Sequence, residues 1–125
     1  MGWALLLVFV LMFVNLGLLG HVPAIAARAG ALMQGELAAF ALGAGLSQIM
    51  SNVPAAIFLA PFTEDWRALA WGVNVGGFGR AIGPLANLIA LRLAPVPGIW
   101  CDLHLWSLAM LLASALASAI LLALD

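Results

Sequence analysis

Residues 36–62 read ELAAFALGAGLSQIMSNVPAAIFLAPF, two apolar arms separated by Ser51-Asn52-Val53-Pro54. The first arm, Glu36 to Met50, is about 22 Å long if helical, which is short for a complete crossing of a bilayer. Proline lacks a backbone donor, and Ser and Asn side chains compete for backbone hydrogen bonds, so these four residues favour a break in the helix. We therefore predict a re-entrant hairpin over 36–62. One continuous, kinked helix is the alternative.

A second interruption lies within the apolar segment 69–93. Its centre carries four glycines and a proline, namely Gly76, Gly77, Gly79, Gly83 and Pro84. An unbroken helix would cost about 1 kcal/mol for each Gly and about 3 kcal/mol for the Pro. The pattern predicts a membrane-crossing helix that is broken near its middle.

Composition indicates that the whole chain lies in a membrane. Hydrophobic residues make up 66% of the 125 residues and charged residues 7%, against roughly 45–50% and about 25% in soluble domains. Two further apolar runs, 3–21 and 103–124, are long enough to span about 30 Å of hydrocarbon. The expected fold is an all-α integral membrane domain over residues 1–125, with three crossings, one of them broken, plus the re-entrant hairpin. We expect it in a bacterial inner (plasma) membrane.

The composition also excludes several classes of function. The net charge is −1 and no basic cluster is present, so we expect no nucleic-acid partner. His21 and His104 stand apart, without clustered Cys, Asp or Glu, so we expect no metal site. Asp102 and His104 are interpreted as a pair at a helix entry, and no nucleophile–base pair is visible. We therefore predict that the protein is not an enzyme.

The two interruptions are the candidates for a transport site. Broken membrane helices expose backbone carbonyls and half-helix ends within the bilayer, where transporters use them to bind ions and substrates. Helix N-termini favour anions, whereas carbonyl, Ser and Asn oxygens favour Na⁺ or another small cation. The polar side chains placed to contribute are Ser51, Asn52, Asn74 and Asn87. We expect no cofactor other than, at most, a bound Na⁺.

Three motifs in this order resemble the ion transporter superfamily, which includes arsenite permeases, related Na⁺/H⁺ antiporters and divalent anion/Na⁺ symporters. They are Ser51-Asn52-Val53-Pro54 followed by an apolar run and Pro61, then Trp71-Gly72-Val73-Asn74-Val75-Gly76-Gly77, then Ile82-Gly83-Pro84-Leu85-Ala86-Asn87-Leu88-Ile89. Members of this group consist of two inverted repeats, each with a hairpin tipped by Ser-Asn and a helix with a Gly-rich break and a downstream Asn. The chain is similar to one repeat, most like the C-terminal one, over about Trp3 to Leu124.

The resemblance implies roles for individual residues. Ser51, Asn52 and Val53 would form the hairpin tip that helps to bind ion and substrate, and Gly83, Pro84 and Asn87 would form the break of the following helix. The dicarboxylate symporters of the group carry Thr where this chain has Val53. The chain therefore lacks that hydroxyl, which puts carboxylate recognition in doubt.

Arg80 lies inside the second interruption, where a charged residue is energetically expensive and normally functional. Three interpretations stay open. The guanidinium binds an anionic substrate, it pairs with a carboxylate such as Glu36, or it reaches water beside the break.

The resulting hypothesis is a secondary active transporter, or its C-terminal half, that moves a small inorganic or organic anion with coupling to Na⁺ or H⁺. Because the substrate site of the resembled family lies between two repeats, a second half is required. It would come from the rest of a longer permease, a second copy or a partner subunit. The alternative is a non-transporting membrane subunit or assembly partner. Polar interruptions at membrane depth favour the transporter.

Overall fold

The computed structural model describes residues 2–79, 85–93 and 96–124. In this part of the chain the regular structure is all helical, and turns connect the helices. The prediction of an all-α fold is confirmed. The helices are α1 (Trp3–Gly20), α2 (Pro23–Leu32), α3 (Glu36–Met50), α4 (Asn52–Leu59) with a 3-10 turn (Ala60–Phe62), α5 (Trp66–Val75), α6 (Leu85–Leu93) and α7 (Ile99–Leu124).

Two helices, α1 and α7, are long and apolar enough to cross a membrane. Most of their large apolar side chains are exposed in the isolated chain, as expected for surfaces that face lipid. Helix α7 begins at Ile99 rather than at the predicted residue 103, because the Gly98 carbonyl accepts the N–H groups of Cys101 and Asp102 and so starts the helix earlier. The number of crossings and the repeat layout stay predictions.

The chain reverses direction at Ser51. Its backbone has φ +77° and ψ 153°, which separates α3 from α4. Leu42 near the middle of α3 lines the same cavity as Phe58 and Leu59 near the end of α4, so the two helices run antiparallel. The structure therefore contains a helical hairpin rather than one continuous kinked helix. Its entry and exit on the same face of a bilayer stays a prediction.

The second interruption follows α5. This helix begins at Trp66, three residues before the predicted start at residue 69, and ends at Val75. A turn over Gly76–Gly79 follows, in which Gly79 has φ +106°. Helix α6 then begins at Leu85, so the described residues contain two helices where the segment 69–93 was predicted to be broken.

Helices α3 and α5 approach each other closely through glycines. A Cβ on Gly72 of α5 would overlap the backbone carbonyl of Phe40, and a Cβ on Gly43 of α3 would lie 3.2 Å from the Leu69 carbonyl oxygen and from the Val73 amide nitrogen. Small residues allow helix backbones to approach in this way in membrane proteins, where dispersion contacts replace the hydrophobic driving force. The buried residues around this contact are Ala39, Phe40, Ala68, Leu69 and Val73.

The close approach gives a stability prediction. Gly72→Ala should destabilise the fold by about 1–3 kcal/mol, because the new methyl group forces the backbones of α3 and α5 apart. Thermal denaturation of the purified protein in detergent measures this as a lower midpoint. Gly45→Ala, also on α3, is the matched control, since no atom lies within 4 Å of its added methyl group. Equal midpoints for the two variants would contradict the tight packing.

Candidate functional site

The hairpin tip is formed by Ser51 and Asn52, both half-buried. The Asn52 Oδ1 atom accepts hydrogen bonds from the Val53 N–H at 3.0 Å and from the Ser51 hydroxyl at 3.3 Å. Ser51 is the one non-glycine residue with positive φ in the described part of the chain. Such a conformation costs about 1–3 kcal/mol and recurs at functional sites, where the surroundings hold it in place.

The tip lies beside the second interruption. The Asn52 Nδ2 atom is 3.9 Å from the position a Cβ would take on Gly77. One residue earlier, Gly76 packs so closely on α3 that a Cβ there would lie 2.6 Å from the Ser47 Cβ and 2.7 Å from the Ala44 carbonyl oxygen. Two breaks that are far apart in sequence therefore meet in space.

Gln48, one helical turn before the tip, links α3 to the interruption. Its Nε2 atom donates to the carbonyl oxygens of Gly76 at 2.6 Å and of Phe78 at 2.9 Å. These carbonyls lie beyond α5, which ends at Val75, so they are outside the hydrogen-bond ladder of that helix. In a bilayer an unpaired backbone group costs several kcal/mol, so the Gln48 amide removes a large penalty.

Helix α7 completes the arrangement through Ser107. The Gly79 N–H donates to the Ser107 Oγ atom at 2.8 Å. A Cβ on Gly79 would collide with the Gln48 Oε1 atom and lie 3.0 Å from the Leu111 side chain. Because Gly79 also has positive φ, only glycine fits between α3 and α7 at this point. We call the residues that meet here the tip–break cluster; they are Gln48, Ser51, Asn52, Gly76, Gly77, Phe78, Gly79 and Ser107.

The tip–break cluster offers neutral oxygen ligands. They are the Ser51 hydroxyl oxygen and the carbonyl oxygens of Gly76 and Phe78, to which the Asn52 Oδ1 atom is added once an ion replaces the long 3.3 Å bond from the Ser51 hydroxyl. The expectation that the interruption leaves its carbonyls free needs a correction, because Gln48 already occupies one lone pair of each. A carbonyl oxygen has two lone pairs, so each can still accept one further contact. Neutral oxygens suit a monovalent cation, whereas Ca²⁺ and Mg²⁺ sites usually include carboxylates.

No group of three His, Cys, Asp or Glu side chains lies together within the described residues. His104 contacts Trp100, whose carbonyl oxygen lies 2.7 Å from its Nδ1 atom and whose ring stacks on the imidazole. The contacts described for His104 are thus with Trp100, and its pairing with Asp102 stays a prediction.

The other predicted site residues are placed as follows. Asn74 is exposed, and its Nδ2 atom donates to the Ala70 carbonyl oxygen of its own helix at 2.7 Å, so its amide does not bond the hairpin tip. Val53 is 46% exposed at the start of α4, and Asn87 is half-buried on α6. Arg80, Gly83 and Pro84 lie outside the described residues.

Glu36, one candidate partner of Arg80, lies beside Arg67 in the described part of the chain. The Glu36 carboxylate lies 3.5 Å from the Arg67 guanidinium at the base of the hairpin, with 42% and 49% of the two side chains exposed. An ion pair this exposed contributes between zero and about 1 kcal/mol. The pair joins the start of α3 to the start of α5.

Sequence reasoning missed Gln48 and Ser107. The available signal was polarity alone, since both are hydrogen-bonding side chains within strongly apolar helices. The spacing of three and four residues from Gln48 to Ser51 and Asn52 would place them on one helical face. The polarity of Gln48 does not indicate that it bonds the Gly76 and Phe78 carbonyls, which lie 28 and 30 residues later in the sequence.

Comparison with known proteins gives two relatives. The chain is 46% identical over 121 residues to the inner membrane protein YbiR of Escherichia coli K12, an alignment that covers 96% of this chain and 32% of YbiR. It is 53% identical over 49 residues to an uncharacterized transporter, MJ0456, of Methanocaldococcus jannaschii, covering 39% of this chain and 14% of that protein. The chain thus spans about a third or less of the relatives it matches. No family model and no solved structure matches it.

The comparison and the two long apolar helices together establish the setting of the protein. The chain is an integral membrane protein of the inner membrane, as predicted from its sequence. It is similar to one protein named as an inner membrane protein and, over a shorter stretch, to one named as an uncharacterized transporter. The tip–break cluster therefore has to be understood as a polar site inside a membrane protein.

The bonds made by Gln48 give the second prediction. Gln48→Glu keeps the shape of the side chain but replaces the Nε2 donor by an oxygen that faces two carbonyl oxygens. We expect a loss of about 1–3 kcal/mol or more, because both carbonyls lose their partner. The measurement is the denaturation midpoint in detergent. The control is Gln34→Glu, since the Gln34 amide is exposed and bonds only to the Gly30 carbonyl of the preceding turn among the contacts described. A Gln48 variant as stable as the Gln34 variant would show that the carbonyls need no cap.

Proposed function

We propose that the chain is one repeat of a secondary active transporter, which moves a small inorganic or organic anion and is driven by Na⁺ or H⁺. The observation that carries the proposal is the meeting of the hairpin tip with the helix interruption at Asn52 and Gly77. Transporters with discontinuous helices bind substrate and coupling ion at such places. The similarity to an uncharacterized transporter supports the same class.

The nature of the described site favours Na⁺ over H⁺ as the coupling ion. Hydroxyl, amide and carbonyl oxygens bind a monovalent cation directly, whereas proton coupling needs a group that titrates. The described members of the tip–break cluster include no carboxylate and no imidazole. Coupling to H⁺ would therefore require a titratable group from the second half of the transporter.

An anionic substrate agrees with the electrostatics of the two breaks. Helix α4 begins at the hairpin tip, so its positive dipole end lies at the site, and α6 begins after the second interruption with the same polarity. Arg80 is assigned to the substrate in this proposal, because a guanidinium can bind an oxyanion through two parallel hydrogen bonds. A neutral substrate such as arsenite would not need this residue.

A second half completes the proposed site. The chain covers 32% of YbiR, which leaves room in that protein for a further repeat. In the present protein the second half is supplied by further sequence, by a second copy or by a partner subunit. The substrate then binds between the two halves, with one tip–break cluster on each side.

The competing function is a non-transporting membrane subunit. The observation in its favour is that Gln48 and Ser107 already satisfy Gly76, Phe78 and Gly79. A break that is fully satisfied by its own chain can serve helix packing alone. The two functions differ in what they require of Asn52 and Asn87, whose side-chain oxygens a packing role does not need.

The third prediction separates these functions. Asn52→Ala and Asn87→Ala should each abolish uptake of the anion in cells that express the protein in its complete assembly, because an ion ligand is lost while the apolar helix faces stay intact. Uptake of labelled arsenate, phosphate, sulfate and succinate under a Na⁺ or H⁺ gradient is the measurement, with membrane content checked by immunoblot.

Asn15→Ala is the control, since the Asn15 amide is exposed and donates to the Leu11 carbonyl of its own helix. The control should transport normally. Uptake at the parent level in both the Asn52 and the Asn87 variants would assign the breaks to packing and favour the subunit.

A further inference from the structure

A long apolar groove separates α2 from the hairpin. Its two walls are the face of α2 that carries Ile25, Ala29 and Leu32 and the face of α3 that carries Leu42, Leu46 and Ile49; its volume is about 550 Å³. Spacings of three and four residues place each set on one side of its helix. The volume lies within the range of about 300–1,000 Å³ that is usual for ligand pockets.

The groove exists because α2 is attached mainly at its ends. Before α2, Gly20 packs against the Phe62 ring at the base of the hairpin. After α2, Met33 is buried, and it lines a cavity together with Pro61 and Thr63. Between these two attachments the wall residues do not close on one another: Leu32 is 60% exposed and Ile49 is 73% exposed.

The two ends of the groove differ in depth. Helix α2 lies at the base of the hairpin, beside the polar residues Gln34, Thr63, Glu64 and Asp65, which we expect at the membrane surface. From Leu42 to Ile49 the groove follows α3 toward the hairpin tip, over roughly 10 Å at 1.5 Å per residue. An occupant therefore has one end at headgroup level and the other among the acyl chains.

The charge that lines the groove is positive. Arg28 is exposed on α2, on the same face as Ile25 and Leu32, and is the basic residue of the lining. The residues described along the groove include no acid, and the ion pair found among the described residues is that of Arg67 with Glu36. An exposed Arg at headgroup level attracts lipid phosphate, and basic pockets between membrane helices bind anionic headgroups.

We propose that this groove is a binding site for an anionic phospholipid, whose phosphate contacts Arg28 and whose acyl chain lies along Leu42, Leu46 and Ile49. The acyl chain fills the apolar space that α2 and α3 leave open, and the headgroup remains at the membrane surface. The site is separate from the tip–break cluster. It depends on the membrane location of the protein and not on the proposed transport.

Lipid retention measured by native mass spectrometry tests the proposal. The complete assembly is purified in detergent, supplied with equal phosphatidylglycerol and phosphatidylcholine, and the retained lipids are counted. Arg28→Gln should lower the preference for phosphatidylglycerol about fivefold, because one cationic contact is lost. Gly45→Leu should lower retention of both lipids about tenfold or more. Gly45 lines the groove and has no atom within 4 Å of an added Cβ, so a larger side chain can enter the groove from this position without a clash at its Cβ.

Two variants serve as controls. Arg92→Gln removes an exposed Arg of α6, and Gly17→Leu adds the same side chain on α1 where no atom lies within 4 Å. Neither should change retention. A lower preference for phosphatidylglycerol in Arg28→Gln and loss of both lipids in Gly45→Leu, with both controls unchanged, support the site. Unchanged retention in both, or a shift of oligomeric state in Gly45→Leu without loss of lipid, overturns it; the second result would assign the groove to a protein contact.

Discussion

Backbone groups that lose their helical partners inside a bilayer must find others within the protein, and the rest of this structure depends on that constraint. The chain interrupts its helices at Ser51 and again after Val75. A single side chain, Gln48, donates to two of the carbonyls released by the second interruption. The second break is thus stabilised by the α3 helix that lies beside it, whereas the described side-chain bonds of the tip are made within the tip itself.

The packing of α3 against α5 fixes this position. Gly43 and Gly72 let the two backbones come into contact. One helical turn further along each helix, the buried Ser47 lies against Gly76. A shift of either helix by one turn would move Gln48 away from the Gly76 and Phe78 carbonyls. The close packing at these glycines therefore also positions the candidate site. Substitutions that loosen this packing should weaken ion binding at the site as well as lower the stability of the fold.

The sequence was sufficient to predict much of the fold. Proline with Ser-Asn located the reversal at Ser51, and the run of glycines located the interruption after Val75, because both patterns act on local backbone geometry. Helix starts were less accurate: α7 begins earlier than expected because the Gly98 carbonyl caps its first turn. The long-range bonds of Gln48 and Ser107 could not be predicted, since a polar residue in an apolar helix does not identify its partner. Glu36 lies against Arg67, and its pairing with Arg80 stays a prediction because Arg80 is outside the described residues.

The central claim is that the hairpin enters and leaves the membrane on one face and so brings its tip to the broken helix. Labelling with a membrane-impermeant maleimide tests it most directly. Single cysteines replace Arg28, Thr63, Pro97 and Asp125 in a chain carrying Cys101→Ser. The account predicts that positions 28, 63 and 125 are labelled from one side of the membrane and position 97 from the other. Labelling of positions 28 and 63 from opposite sides would contradict it, because the segment 36–62 would then cross the bilayer.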